Sequence, residues 1–250
     1  MIEIRAVKAI WYREVKANLN DKTRVVSSIV RSLLWLVIFG GGFNSVRFAG
    51  LGITNYQEFL FPGIVGMSLL FTSMFAGISV IWDREFGFLK EIVVSPISRF
   101  SMLLGKVLGG STMAMAEALI ILFCSFIVGV NVEWVNLPLI LLTMILISFT
   151  LVSLGLTVAS FLESFEGFNT IMSFVIQPMF FLSGAVFPLE SMPVWMKPLV
   201  YLNPLSYGVD ALRTLIIGVP HFSLWFDFLV MILASSLMMA LGSRAFKARM

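Results

Sequence analysis

The chain of 250 residues is 59% hydrophobic and 12% charged, with 17 basic and 14 acidic side chains and a formal net charge of +3; its mean hydropathy is +0.98. Soluble domains carry about 25% charged residues, so this chain cannot cover a water-facing surface, and an all-α membrane protein with several spans is the expected class. One cysteine (Cys124) and one histidine (His221) exclude an intrachain disulfide, a Cys-rich metal site and an HExxH site, the small basic excess gives no support to a nucleic-acid partner, and Gly105-Lys106, followed by Val107, lacks the upstream glycine of a P-loop.

In chain order, the first 24 residues hold six basic and three acidic groups, with no cleavage pattern, which argues against a removed signal peptide. Ile4, Val7, Trp11 and Val15 recur at the spacing of one helix face, with Arg5, Arg13 and Lys16 opposite. Residues 1–24 therefore read as an amphipathic helix lying in the cytoplasmic interface, or as a basic anchor that only sets topology. A span needs about 20 apolar residues, and six segments of 25–250 qualify: 25–46 (with Arg31), 59–82, 107–130 (with Glu117), 137–161, 167–187 and 223–243 (with Asp227). Around residues 188–222, before the last span, lie two apolar pieces too short to cross, 198–209 and 214–226, broken by Pro188, Pro193, Pro198, Pro204 and Pro220. An external re-entrant segment fits that pattern.

Basic residues orient the spans. With six crossings, 13 of the 17 fall on one side: six in the tail, four in the loop 83–106 and three at the C-terminus. Three (Arg47, Lys197 and Arg213) fall on the other, and Arg31 snorkels from within the first span. Both termini and the loop 83–106 are thus expected in the cytoplasm of a multi-pass protein of the cell membrane.

That loop carries seven of the chain's 31 charges in 24 residues. Phe86, Leu89, Ile92 and Val93 recur at helical spacing, and Ser95-Pro96 stops the helix. A passive hairpin needs only a few residues, so an ordered amphipathic helix here is expected either to dock a partner or to rest on the lipid surface. Ile97, Phe100, Leu103 and Leu104 then lead back to the third span.

The loop resembles the first cytoplasmic loop of ABC-2 type transporter membrane subunits. It has Arg84, Glu85, Gly87, Leu89, Glu91, Pro96, Ile97, Arg99, Gly105 and Lys106 where that family reads R-E-x-x-G-x-L-E-x-L-x-x-x-P-I-x-R followed by G-K. The spacing departs from the pattern at Phe88-Leu89-Lys90. The stretch 201-YLNPLSYGVDALR-213 is similar to the family's L-N-P-x-x-Y-x-x-D-x-x-R, and 182-LSGAVFPLESMPVWM-196 to its fifth span and external re-entrant region. The resemblance implies a six-span permease subunit of an exporter. It implies a coupling helix, with Arg84, Glu85, Phe86, Gly87, Leu89, Lys90, Glu91 and Pro96, seated in a groove of a separate ATPase subunit present in two copies. It also implies a second copy of the chain or a homologous permease. ATP and Mg would be bound by the ATPase, leaving no catalytic residue, cofactor or metal in this chain.

Several residues keep two readings. Glu117, costly at its depth, is a substrate-cavity or proton-relay carboxylate, or else a protonated or hydrogen-bonded structural group. Asn203, Tyr207, Asp210 and Arg213 brace the re-entrant segment, with Asp210 and Arg213 paired at i, i+3, or they bind a ligand. Phe71, Phe75, Phe180, Phe181 and Phe187 line an apolar cargo path or are packing. Gly105 and Gly109 allow close helix contact. The rival functions are a proton-coupled secondary transporter using Glu117 and a membrane-embedded enzyme, for which the spans hold no polar cluster.

Overall fold

The structure, a computed structural model, describes residues 3–42, 56–87 and 97–249. Helices α1 (Ile4–Asn20) and α2 (Lys22–Gly42) follow one another with one interruption. At Asp21 the backbone leaves helical geometry, and the side chain accepts from the Arg24 amide at 3.1 Å, capping α2. There follow α3 (Tyr56–Phe75), α4 (Ile78–Glu85), α5 (Arg99–Phe123), a short α6 (Ser125–Val128), α7 (Leu137–Phe161) and α8 (Phe165–Phe181). The chain ends with α9 (Lys197–Leu202), α10 (Pro204–Ile217) and α11 (Leu224–Arg249), and no strand occurs among the described residues.

Local chemistry sets the boundaries. Ser98 and Ser164 cap α5 and α8 by accepting from the amides of Ser101 and Gly167, both at 3.1 Å. Asn203 caps α10 through the Leu205 amide, with Pro204 at the first helical position. Phe100, Leu103 and Leu104, expected as a separate re-entry segment, belong to α5 itself, because Ser98 starts the helix and no proline interrupts it.

Four stretches among the described residues are long and apolar enough to cross a membrane: Tyr56–Glu85, Arg99–Val128, Trp134–Phe161 and Leu224–Phe246. The chain is thus an all-helical, multi-pass membrane protein. The remaining two expected spans correspond to α2, which carries Lys22, Arg24 and Arg31, and to α8. The 17 residues of α8 extend only about 26 Å, short of the roughly 30 Å hydrocarbon core.

Side-chain contacts give the helix directions. Thr72 meets Glu117, and Ser79 meets Lys106, so α3–α4 and α5 are antiparallel. Trp82 stacks on Phe165 while Phe75 meets Phe168, so α8 also opposes α3–α4. Thr150 bonds Ser235, and Gly242 packs on Thr157, so α7 and α11 are parallel. Taken together, α2, α5 and α8 run one way, and α3–α4, α7 and α11 the other.

The core is organised around α3. From Phe59 to Leu70 its residues are buried on every face, as an all-round apolar helix requires, and α2, α5, α7, α8 and α10 surround it. At the bend between α3 and α4 the chain touches α7 backbone to backbone: a Cβ on Gly77 would stand 2.4 Å from the Gly155 carbonyl oxygen, and one on Gly155 2.5 Å from that of Met74. Only glycine allows this approach. The ends of α4, α7 and α11 and the starts of α5 and α8 therefore gather at one end of the bundle, beside α1.

Candidate functional site

At that end α1 lies along the first half of α5. A Cβ on Gly105 would meet the Cβ of Ile10 at 2.8 Å, and one on Gly109 the Cβ of Glu14 at 2.5 Å. The expected close contact at these glycines is formed, and its partner is the N-terminal helix. The Glu3 amide donates to Ser101 Oγ and Trp11 Nε1 to Thr112 Oγ1, each at 3.0 Å. The buried stripe of α1 is Val7, Ile10 and Glu14, whereas Ile4, expected on the apolar face, is exposed. The glycine groove explains the rotation, because it admits the residues that fit closest.

Glu14 on that stripe is an acid at an apolar position, and α5 brings Lys106 to meet it. The ammonium donates to Glu14 Oε1 at 2.7 Å and to Ser79 Oγ at 3.1 Å, and lies 2.5 Å from Asp83 Oδ2. All three of its protons thus have acceptors. Asp83 is also held in a fork by Arg13, whose Nη1 lies 3.3 Å from Oδ2 and whose Nη2 bonds Oδ1. Burial of Arg13 works against its charge, but Asp83 and Glu14 hold its pKa above the usual guanidinium value. The Lys106, Asp83 and Glu14 side chains are 0%, 3% and 8% exposed, a buried network that joins α1, α4 and α5 and ties together the two ends of the stretch 83–106. Arg13 was expected on the free basic face and Asp83 in the loop. The readable sign of the cluster was Glu14 in line with Val7 and Ile10.

Four expected coupling residues are described and four are not. Arg84 donates through Nη1 to the Leu162 carbonyl at 2.9 Å and through Nη2 to that of Ser160 at 3.3 Å, satisfying open carbonyls at the end of α7. Glu85 and Phe86 are exposed, and Gly87 turns the chain with φ +75°. Leu89, Lys90, Glu91 and Pro96 lie outside the described residues.

Beside the network, α2 and α8 meet at Trp35 and Phe180 and diverge toward the charged end, leaving a cavity of about 400 Å³ floored by α3, α4 and α5. Its apolar wall is Phe71, Phe75, Ile78, Trp82 and Phe165; its polar wall is Asp21, Thr23, Arg24, Ser27, Ser28, Arg31, Thr72 and Glu117. Glu117 Oε2 accepts from Ser28 Oγ at 2.6 Å and Thr72 Oγ1 at 2.5 Å. The Arg31 guanidinium sits 5.2 Å from the Phe71 ring centre, a cation–π distance. A second cavity of about 180 Å³ reaches the buried network and shares Asp21, Arg24, Ile78 and Trp82 with the first. Phe71 and Phe75 line the larger cavity; Phe180, Phe181 and Phe187 do not.

Asn203, Tyr207, Asp210 and Arg213 stand at the opposite end, away from Glu117. Asn203 Nδ2 donates to the Met179 carbonyl at 2.7 Å and Tyr207 Oη to that of Tyr201 at 2.9 Å. The expected Asp210–Arg213 pair does not form. Asp210 accepts from the amides of His221 and Phe222, at 3.0 and 2.8 Å to its nearer oxygens, and burial raises its pKa against those bonds. Arg213 donates to the Gly184 carbonyl at 2.7 Å and lies 3.9 Å over the Phe59 ring. Each ties a different loop to α10.

The sequence profile of ABC-2 type transporters matches residues 5–217. The ycf38 protein of Porphyra purpurea is 31% identical over 217 residues, 84% of this chain and 73% of that protein. The inner membrane transport permease YadH of Escherichia coli K12 is 25% identical over 219 residues, covering 86% of this chain and 84% of YadH. Nodulation protein J of Rhizobium leguminosarum is 26% identical over 221 residues, covering 85% and 82%.

Proposed function

Because the chain belongs to the ABC-2 type transporter family, we propose that it is the membrane-spanning permease subunit of an ATP-binding cassette exporter. The observation that carries this reading is the family match over residues 5–217. In this reading six helices cross the cell membrane: α2 and α8 join the four that are long and apolar enough. The alternating helix directions support that count, and the 13-to-3 distribution of basic residues supports placing both termini and the loop 83–106 in the cytoplasm. Residues 1–24 hold the cytoplasmic interfacial helix, α1 (Ile4–Asn20), and reach the first turn of α2, and 188–222 make the external re-entrant region.

Two copies of the chain, or one copy and a homologue, enclose the pathway. Two separate ATPase subunits bind ATP and Mg and drive it, and closure of their dimer moves the loop 83–106. Glu85 and Phe86, exposed at the loop's start, are suited to pack on a partner. The network of Lys106, Asp83, Glu14 and Arg13 would carry such movement into α1 and α5. Two hydroxyl donors on Glu117 support a fixed acceptor in the cavity wall over a proton relay.

The test is purification in mild detergent with the ATPase encoded alongside. Wild type should co-purify with it and stimulate its hydrolysis. Glu91→Lys, and Phe86→Ala with Leu89→Ala, should elute normally yet lose co-purification or stimulation, because a like-charge contact at a partner surface costs several kcal/mol. Transport driven by a proton gradient with no ATPase present would overturn the reading in favour of the secondary transporter.

A further inference from the structure

The cavity between α2 and α8 is built to hold an amphipathic anion. Its volume of about 400 Å³ falls within the roughly 300–1,000 Å³ of small-molecule sites, and its two walls differ in chemistry. One wall is aromatic, led by Phe71, Phe75, Trp82 and Phe165. The other presents charge, and the question is which sign remains free to bind.

Each acid already accepts a hydrogen bond. Glu117 is 3% exposed, and two hydroxyl groups donate to its Oε2. Asp21 accepts the Arg24 amide at the start of α2. The two guanidinium groups have no hydrogen-bond acceptor among the described residues, although the charges of Glu117, Asp21 and Glu14 act on Arg24 at longer range. Neither Arg24 nor Arg31 forms an ion pair among the described residues, and Arg31 is exposed with its guanidinium over the Phe71 ring. Seven residues apart on α2, the two arginines are separated by two helical turns, about 10.5 Å along the axis, and share one face. A guanidinium offers a rigid fork of donors that matches carboxylate and phosphate oxygens. A cationic ligand would meet two guanidinium groups and two carboxylates that already accept hydrogen bonds. A neutral one would displace water and leave both groups without acceptors, a costly arrangement.

We propose that this cavity binds a molecule with a phosphate or carboxylate head and an apolar chain, the head on Arg24 and Arg31 and the chain along Phe71, Phe75 and Trp82. The assignment rests on the permease reading for its role as a cargo site, but the binding itself does not require the ATPase.

The experiment is native mass spectrometry of the full chain in neutral detergent with dodecyl phosphate as probe, compared with dodecyltrimethylammonium at equal concentration. Dodecyl phosphate should bind at one site and the ammonium compound at least tenfold more weakly. Arg24→Gln/Arg31→Gln should weaken dodecyl phosphate by about tenfold or more, Phe71→Ala should weaken it as well, and Lys16→Gln, an exposed charge outside the cavity, should not. Competition by phosphatidylglycerol identifies a bilayer lipid headgroup as the source of the anion; its failure to compete identifies a diffusible single-chain amphiphile. Size-exclusion elution and ATPase co-purification of the double variant show that it is folded. Equal binding of the two probes, or undiminished binding by the folded double variant, overturns the proposal. If the probe fails to bind while wild type co-purifies with the ATPase, the anion site falls and the permease reading stands. If the probe binds and wild type does not co-purify, the anion site stands and the permease reading falls.

Discussion

Replacing Lys106 with methionine tests whether the buried network holds α1 to the bundle. Methionine keeps most of the volume and removes the charge. The ammonium is fully buried and contacts two carboxylates that are 3% and 8% exposed, so Lys106→Met strands two acids away from water. Breaking a buried pair in this way costs about 3–5 kcal/mol. At roughly 2–4 °C per kcal/mol for a chain of this size, that is a fall of about 6–20 °C in melting temperature. Arg13 does not compensate fully, because at 39% exposed its attraction is screened. A second substitution separates loss of charge balance from loss of packing. In Lys106→Met/Glu14→Gln the remaining carboxylate, Asp83, still has the Arg13 fork, so more than half the lost stability should return, a coupling expected only between interacting sites. The assay is fluorescence-detected size exclusion after heating in mild detergent. A single variant that melts with wild type would refute the reasoning, as would a double variant no more stable than the single.

Three further outcomes follow from the geometry. Glu117→Gln should keep wild-type elution and near-normal transport, since an amide oxygen accepts the Ser28 and Thr72 hydroxyls equally well, whereas Glu117→Leu leaves the buried Thr72 hydroxyl unpaired, Ser28 turning to the Val25 carbonyl, and should lose about 1–3 kcal/mol; loss of transport by a well-folded Gln variant would restore the proton relay. Gly155→Ala places a methyl 2.5 Å from the Met74 carbonyl oxygen and should destabilise by about 1–3 kcal/mol, read by the same heating assay, with an unchanged melt counting against the backbone contact. In a Cys124→Ser background, cysteines at Lys16 and Glu166 should be labelled by an impermeant maleimide only from the cytoplasm and one at Ser191 only from outside; labelling of Glu166→Cys from outside would overturn the six-crossing topology.

Composition alone determined that this is a helical membrane protein, because so little charge cannot solvate a surface, and hydropathy located the four spans that stand as long apolar helices. The loop 83–106 and the segment 201–213 also carried the family in their residue order. Partnership was decided only by tertiary structure. Periodicity of α1 put Ile4, Val7, Trp11 and Val15 on the apolar face, yet Gly105 and Gly109, nearly a hundred residues away, keep Val7 and select Ile10 and Glu14 beside it. Asp83 read as a loop charge, Lys106 as the end of a motif and Arg13 as part of a free basic face. Their meeting depends on α1, α4 and α5 packing at one end, and local spacing carries no information about that. The same holds for the cavity. Arg24 and Arg31 can be placed on one face of α2 from their spacing, but the aromatic wall opposite them comes from α3, α4 and α8, and it exists because α2 and α8 touch at Trp35 and Phe180 and part below.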